Sequence, residues 1–463
     1  MLTKKPTKPS IFIRADASIE IGIGHVMRTL ALANEASAKG IDVYYLSYSI
    51  PKSLQKKIKK VFYLNKIDDA DEIIELAKIY KPFAIILDSY VLNKEYEKTI
   101  KSSTNATIVA YEDLDNEHSS DLVINPNIYA KSTKQNHLYG TKWAMLRKEF
   151  KQRFHRTNNK FTLTVTLGGS DKKNITYEII KHLKKWHIPF FAHIILGATN
   201  PHKHKVFALL KDTKNFKLHK NPKNFASLLA DADLIISASG QTTIDVLYLN
   251  KPSIAINVVD NQNMITQELK RKKLALTLES SKIKRFPREL NRLYTFKNRF
   301  KTDRIAIAKY SVLKEIKRNH LKNFTLLGFK QSDCDELFEL SNEPLIRKIS
   351  LNSNAISQKE HKRWCERKLN DGTEILIARS DSGIFLGYVR FESTISIALS
   401  KFARGLGFSK ILLARSLEQT DKKLICAQIK NDNFASITLF KSFGFVQIAK
   451  NADFITMEYK NEN

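Results

Sequence analysis

The stretch "IFIRADASIEIGIGHVMRTLALANEASAKGIDVYYLS", Ile11 to Ser47, decides the fold. Ile11–Arg14 is an apolar run that predicts a strand. A helix follows from about His25 to Ala38, with Gly40 where a helix-terminating glycine belongs. Ile41–Ser47 predicts the next strand, so the stretch reads as one strand–helix–strand unit of a parallel sheet. The turn into its helix, "GIGHVMR", holds Gly22 and Gly24 one residue apart, and Met27 stands where a dinucleotide fingerprint would want a third glycine. Glycines there let the backbone approach a ligand, and the helix N-terminus offers free N–H groups to an anion. His25 stands in the turn itself and Arg28 one turn on. A neutral imidazole at this position is a usable general base. A tight turn with a capping histidine explains the same residues, and spacing alone leaves both readings open.

Working outward, the alternation continues. Asp71–Tyr80 has apolar residues at helical spacing and stops at Pro82. Phe83–Asp88, Ala106–Asp113 and Asp121–Pro126 read as buried parallel strands ending in polar residues. The pattern breaks in the polar, basic Phe150–Lys160, then restarts with Phe161–Asp171, Leu234–Leu249 and Pro252–Val258. From Phe324 the chain changes to strand, helices, then more strands. Three units follow: residues 1–152, residues 153–320 with trailing helices, and residues 323–463. The first two are α/β, doubly wound parallel units, whose ligands bind at the carboxyl ends of the strands.

With 77 Lys and Arg against 47 Asp and Glu, the net charge is +30, which favours anionic ligands. Lysine is spread along the whole chain, and neither a recognition-helix pattern nor an aromatic-basic RNA signature is present, so no specific nucleic-acid partner is expected. No apolar run reaches the roughly 18 to 20 residues of a membrane span, and the basic start has no apolar core after it; a cytoplasmic location is expected. The three cysteines, Cys334, Cys365 and Cys426, are widely spaced and are expected as reduced thiols. GxxxxGK[ST], HExxH, GxSxG and a DxD-like metal site are absent, so no metal is expected.

Three further turns carry the pattern of a strand end opening a helix. "TLGGSD" brings Gly168, Gly169 and Ser170, followed by Asp171. "SASGQTTIDVL" brings Gly240, Thr242 and Thr243, with Asp245 one turn inside the helix, where a carboxylate can take the hydroxyls of a ribose. Asn261 and Gln262 follow the next strand. In the last third, "ARGLGFS" (Ala403–Ser409) has an Arg-x-x-Gly-x-small pattern whose N–H groups can hold a pyrophosphate. Each turn alone is equally a capped helix start.

In order and spacing, "RAD" (Arg14–Asp16), "GIGHVMR", "LDSY" (Leu87–Tyr90), "AMLRKEF" (Ala144–Phe150), "TLGGSD", "ADLIISASGQTTIDVL" and the Asn261–Gln262 pair resemble the hydrolases of pseudaminic acid biosynthesis that act on a UDP-2,4-diacetamido-2,4,6-trideoxyhexose. The resemblance covers about the first 290 residues. It implies a GT-B-like pair of Rossmann-like units and metal-independent release of UDP, with other pathway enzymes as possible partners. His25 would activate or orient the water, and Tyr90 and Asn261 would line the sugar site. UDP would meet Gly22, Gly24, Arg28, Gly168, Gly169, Ser170, Gly240, Thr242, Thr243, Asp245 and Gln262. The carboxylate at Asp245 is one methylene shorter than the Glu usual in this class.

"SNEPLIRK" (Ser341–Lys348), "ISQKEHKRW" (Ile356–Trp364), "ARGLGFS" and "NDNFASITLFKSFGF" look like a GNAT-superfamily N-acetyltransferase, an α+β domain, and most like enzymes acetylating a 4-amino UDP-sugar. That resemblance implies acetyl-CoA as co-substrate, its pyrophosphate on the N–H groups around Arg404, Gly405, Gly407 and Ser409, with Asn433 and Ser436 near the pantetheine. Phe440 occupies the place of a frequent tyrosine acid and cannot donate a proton, so that role passes to water or another group; Glu392 and His361 are polar candidates for substrate contact or base. Two rival readings are a GT-B glycosyltransferase and a nucleotide-sugar-binding module fused to a protein acetyltransferase.

Overall fold

A computed structural model describes residues 8–18, 24–66, 68–156, 159–169, 171–197, 199–297, 300 and 305–461. The first unit holds β1 (Ser10–Ala15), β2 (Asp42–Ser47), β3 (Val61–Tyr63), β4 (Ala84–Asp88), β5 (Thr107–Tyr111), β6 (Leu122–Asn125) and β7 (His137–Tyr139). All pair in parallel, in the order β3-β2-β1-β4-β5-β6-β7. Every residue of β1, β4 and β5 is buried, as expected for strands covered on both faces. The strand order reverses between β1 and β4, so their carboxyl ends open the crevice where ligands of such sheets bind.

The second unit repeats this with β8 (Thr162–Thr166), β9 (Phe191–Leu196), β10 (Phe216–Lys220), β11 (Leu234–Ala238), β12 (Ser253–Asn257) and β13 (Leu276–Glu279), in the parallel order β10-β9-β8-β11-β12-β13. The reversal here lies between β8 and β11, which end in the Gly168–Gly169 and Gly240 turns. Gly197, after β9, must be glycine: a Cβ on it would stand 2.3 Å from the Gly169 carbonyl oxygen and 2.5 Å from that of Gly168.

The third unit is α+β. The strands β14 (Phe324–Gly328), β15 (Glu374–Ser380), β16 (Phe385–Phe391) and β17 (Ile395–Leu399) form an antiparallel sheet. A second antiparallel sheet, in the order β18-β20-β19, contains β18 (Leu424–Lys430), β19 (Val446–Lys450) and β20 (Phe454–Lys460). β17 and β18 are neighbours that belong to different sheets. The helix Phe408–Gln419 connects them.

Two expectations need correction. The helix Val312–His320, assigned from the sequence to the second unit, packs on the first. Val312, Leu313 and Ile316 join the same core as Ile11 and Ile13, because they form the apolar stripe of an otherwise charged helix. The chain reaches it by crossing back along the first unit, where the Ala308 N–H donates to the Thr141 carbonyl (2.9 Å) and the Tyr310 N–H to that of Lys142 (3.0 Å). Cys334 and Cys365, expected as reduced thiols, are joined as a disulfide with their Cα atoms 6.2 Å apart. Thirty-one residues separate them in sequence, and two packed helices bring them together.

The third unit docks on the first at the amino ends of its strands. Phe83, immediately before β4, meets Phe402 edge to face with centroids 5.0 Å apart, and both are buried. Lys317 Nζ lies 4.4 Å above the Phe402 ring. The Asn105 side chain donates to the Asp381 carbonyl (3.1 Å), and His320 Nε2 meets the Ser382 hydroxyl at 3.0 Å. Burial pushes the His320 ring down to about 4, so it sits neutral in this junction. Phe402→Ala should therefore loosen the junction at a cost of about 3–5 kcal/mol. Denaturant unfolding should show the third unit melting ahead of the others; a single unchanged transition would contradict this.

Candidate active site

The side chains that converge at the first crevice come from four strand ends. The helix Gly24–Ala38 begins directly after the turn and carries His25 as its second residue and Arg28 one turn further. Asp88 is the last residue of β4, Tyr90 follows it, and Asp113 follows β5. His25 Nδ1 is 2.6 Å from Asp88 Oδ1. Arg28 donates to the same carboxylate through Nε at 2.6 Å and Nη2 at 2.5 Å, and through Nη1 to Asp113. The Tyr90 hydroxyl donates to Asp113 Oδ2 at 3.0 Å, and the Tyr90 ring meets the His25 ring edge to face at 4.5 Å. Asn127 donates to Asp113 Oδ1 at 2.8 Å.

Asp88 is fully buried. Burial alone would raise its pKa, but the Arg28 charge and the hydrogen bonds from Arg28 and His25 outweigh it and hold the carboxyl below the usual range. Asp88 is thus a carboxylate, which only accepts, so the proton of a neutral His25 sits on Nδ1. That leaves the lone pair on Nε2, which has no hydrogen-bond partner among the described residues. Burial and the Asp113 charge raise the Tyr90 hydroxyl well above its ordinary value, so it is a donor at neutral pH. An imidazole oriented by a buried carboxylate, with a free Nε2 beside a phenol, can take a proton from water and stabilise the resulting imidazolium.

The structure brings His25 and Tyr90 together, ring against ring. Arg28, expected among the UDP contacts, is buried and binds Asp88 and Asp113 instead. Asp88 and Asp113 were not singled out from the sequence. Their position at the ends of apolar strands was the available signal. Gly22 and Ser170 lie outside the described residues, and Gly24 opens the helix.

In the second unit, Gly168 has φ +83°, and Gly168 and Gly169 are exposed at the end of β8. Asp171 caps the next helix, accepting the N–H groups of Ile175 and Thr176, both at 2.9 Å. Gly240 and Gln262 are neighbours, for a Cβ on Gly240 would lie 3.4 Å from Gln262 Nε2. Gln262 Oε1 accepts the Val258 N–H at 3.0 Å, and Asn261 is exposed beside it. Thr242 begins a short helix, and the Ser239 and Thr243 hydroxyls around this turn are buried with no partner among the described residues. Asp245 is buried and paired with Arg147 at 2.6 Å. Burial outweighs that partner and pushes its carboxyl up to about 6.

In the third unit, Gly405 and Gly407 have φ +70° and +80° and are exposed between buried Leu406 and Phe408. These two left-handed residues turn the chain into the helix Phe408–Gln419, and Ser409 lies in its first turn. That combination fits a pyrophosphate on backbone N–H groups. Arg404 points elsewhere: its Nε donates to the Leu399 carbonyl at 2.7 Å, and Nη2 pairs with Glu343 at 2.6 Å. Asn433 caps the helix Phe434–Lys441 by accepting the Ser436 N–H at 3.2 Å. The two polar candidates for base are otherwise engaged. Glu392 pairs with Lys368 and Arg390. His361 is buried beside the disulfide, 2.8 Å from the Cys334 carbonyl. Phe440 is a core residue packed on Phe445 at 4.8 Å. Among the described residues, no group of three or more His, Cys, Asp or Glu could hold a metal ion, and no helix is long and apolar enough to cross a membrane.

Residues 162–318 match the family described as "Glycosyltransferase family 28 C-terminal domain". An uncharacterized protein of Methanocaldococcus jannaschii is 26% identical over 477 residues, spanning 95% of this chain and 97% of its own. The UDP-2,4-diacetamido-2,4,6-trideoxy-beta-L-altropyranose hydrolase of Campylobacter jejuni is 28% identical over 271 residues, 57% of this chain and 96% of that protein. A crystal structure of spermidine N-acetyltransferase from Vibrio cholerae in complex with CoA and spermine aligns with 30% of this chain and 96% of its own, at 16% identity and a TM-score of 0.28. Over its first two units, each a doubly wound parallel α/β sheet, the chain is therefore similar to the altropyranose hydrolase, and it continues into an α+β unit that this relative does not cover.

Proposed function

We propose that the first two units hydrolyse a UDP-2,4-diacetamido-2,4,6-trideoxyhexose, and that the third acetylates the 4-amino precursor of that sugar. The observation that carries the first half is the buried Asp88–His25 pair, with Nε2 of His25 free and Tyr90 against its ring. In this reading water attacks the anomeric carbon, its proton passes to His25 Nε2, and the sugar–phosphate bond breaks with UDP leaving. Arg28 and Asp113 hold Asp88 and Tyr90 in place. The Gly168–Gly169 and Gly240 turns take the phosphates, Asp245 the ribose, and Asn261 the sugar. The likeness to the Campylobacter jejuni hydrolase over 96% of that protein supports the substrate class.

In the third unit, the Gly405–Gly407 turn takes the pyrophosphate of acetyl-CoA. The amine attacks the thioester carbonyl, an amide forms, and CoA leaves as a thiol. Phe440 cannot supply that thiol's proton, so water or another group does. Acetylation would make what hydrolysis consumes, which gives the fusion its chemical logic. In a second reading of the first two units, a sugar or lipid hydroxyl replaces water. One observation favours it: Tyr90, Val91 and Leu114 are exposed apolar side chains at the carboxyl ends of β4 and β5.

Incubation with the UDP-diacetamido sugar and no acceptor, followed by NMR, should show UDP release. Absence of release by the wild type would sink the hydrolase reading and leave the transferase. His25→Ala and Asp88→Asn should each lower kcat on the order of 10²-fold or more, the latter by unsettling the imidazole tautomer. For the third unit, acetyl-CoA consumption with the 4-amino UDP-sugar is expected, and Phe440→Tyr should not lower it if the thiol's proton comes from water.

A further inference from the structure

Behind Asp113 lies a second buried charge cluster that the proposed reaction does not use directly. His118 has both ring nitrogens on carboxylates: Nδ1 is 2.6 Å from Glu97 Oε1, and Nε2 is 2.5 Å from Glu112 Oε2. A carboxylate oxygen can only accept here, so both nitrogens donate and the ring is an imidazolium. Glu97 and Glu112 are 2% and 3% exposed, so neither carboxylate is solvated by bulk water. Each also gathers backbone from the same loop. Glu112 accepts the N–H groups of Leu114 and Asn116, and Glu97 accepts those of Ser119 at 2.7 Å and Ser120 at 2.9 Å. The loop from 112 to 120 is thus wound around one charged ring. Its exposed side presents Asp113 to Arg28, Tyr90 and Asn127.

We propose that His118 is a positioning residue of the cleft: clamped between Glu97 and Glu112, it fixes the 112–120 loop so that Asp113 holds Arg28 and Tyr90 around the His25–Asp88 pair. The inference rests on the hydrolase reading for its kinetic consequence only. Burial opposes the charge on His118, but the hydrogen bonds it donates to Glu112 and Glu97, and their charges, outweigh it and push the ring up to about 9. Glu112 is correspondingly held below its ordinary value despite its burial. The charged and titratable groups around the clamp include Glu97 and Lys101 from the helix Lys94–Ser103, Glu112, Asp113, Asp115 and Glu117 on the loop itself, and Tyr129, Lys134, His137 and Tyr139 from beyond β6. His137 is depressed by burial and by the Lys134 and His118 charges. A raised histidine stabilises the fold fully below its unfolded value near 6.5, and that contribution is lost as pH rises through about 9.

The test uses the full chain with UDP release as one readout and histidine and tyrosine ring NMR as the other. Wild type should keep the His118 ring charged at pH 8 and lose kcat as pH rises through about 9. His118→Gln should lower kcat on the order of 10- to 100-fold with KM changed much less, abolish that alkaline limb, and shift the Tyr90 ring signals. His118→Arg, which keeps the charge and the donors, should recover part of the rate. A neutral His118 ring at pH 7.5, or a His118→Gln protein with wild-type kcat and unmoved Tyr90 signals, overturns the proposal. If the wild type releases no UDP, the hydrolase reading falls. The ring signals then decide alone: a Tyr90 shift in His118→Gln upholds the clamp, and none overturns it.

Discussion

One buried carboxylate organises the first crevice. Asp88 lies at the end of a strand with no solvent contact, and an anion there is tolerable only because Arg28 and His25 both donate to it. Removing either donor would leave a charge in the interior. The same bonds fix which imidazole nitrogen keeps its lone pair. Arg28 extends the constraint to Asp113, and Asp113 to Tyr90, so three strand ends are tied through one guanidinium. The sheet supplies the rigid frame: β1 and β4 pair directly from Ile11 with Ala84 to Ala15 with Asp88, and no residue in either strand reaches solvent.

Much of this frame was legible in the sequence, because continuous apolar strands and amphipathic helices are local patterns. The two doubly wound units and the change to α+β at Phe324 followed from periodicity. His25 was singled out because it stands in a turn at a helix start, and Tyr90 only through the resemblance carried by "LDSY". Asp88 and Asp113 were written in the same stretches, yet nothing local distinguishes a strand-ending carboxylate that binds an arginine 60 residues away from one that faces water. Arg28 was assigned to phosphate for the same reason: its two carboxylates arrive only when β1, β4 and β5 pair. The helix Val312–His320 was misassigned because sequence order does not reveal that a chain crosses back, and the disulfide because 31 residues separate its halves. The polar candidates Glu392 and His361 have partners from other elements that no spacing rule could supply.

The second and third units differ from the first in how their turns are built. In the first, side chains converge. Around Gly168, Gly240, Gly405 and Gly407 the backbone itself is what is presented, and Gly168, Gly405 and Gly407 are exposed. Such turns suit anions of fixed geometry such as pyrophosphate, since N–H groups at a helix start need no side chain to order. In the proposed reaction this difference becomes a division of labour, with proton transfer on side chains of the first unit and phosphate on main chain of the second.

β4 joins the two ends of the first unit. Phe83, just before it, bears the third unit, and Asp88, its last residue, bears the His25 site. Five residue steps along the strand separate them by roughly 17 Å, from one edge of the sheet's strands to the other. The amino end of β4 thus carries the joint between units and its carboxyl end carries chemistry-bearing side chains, so a change in how the third unit docks bears on the same strand that ends in Asp88.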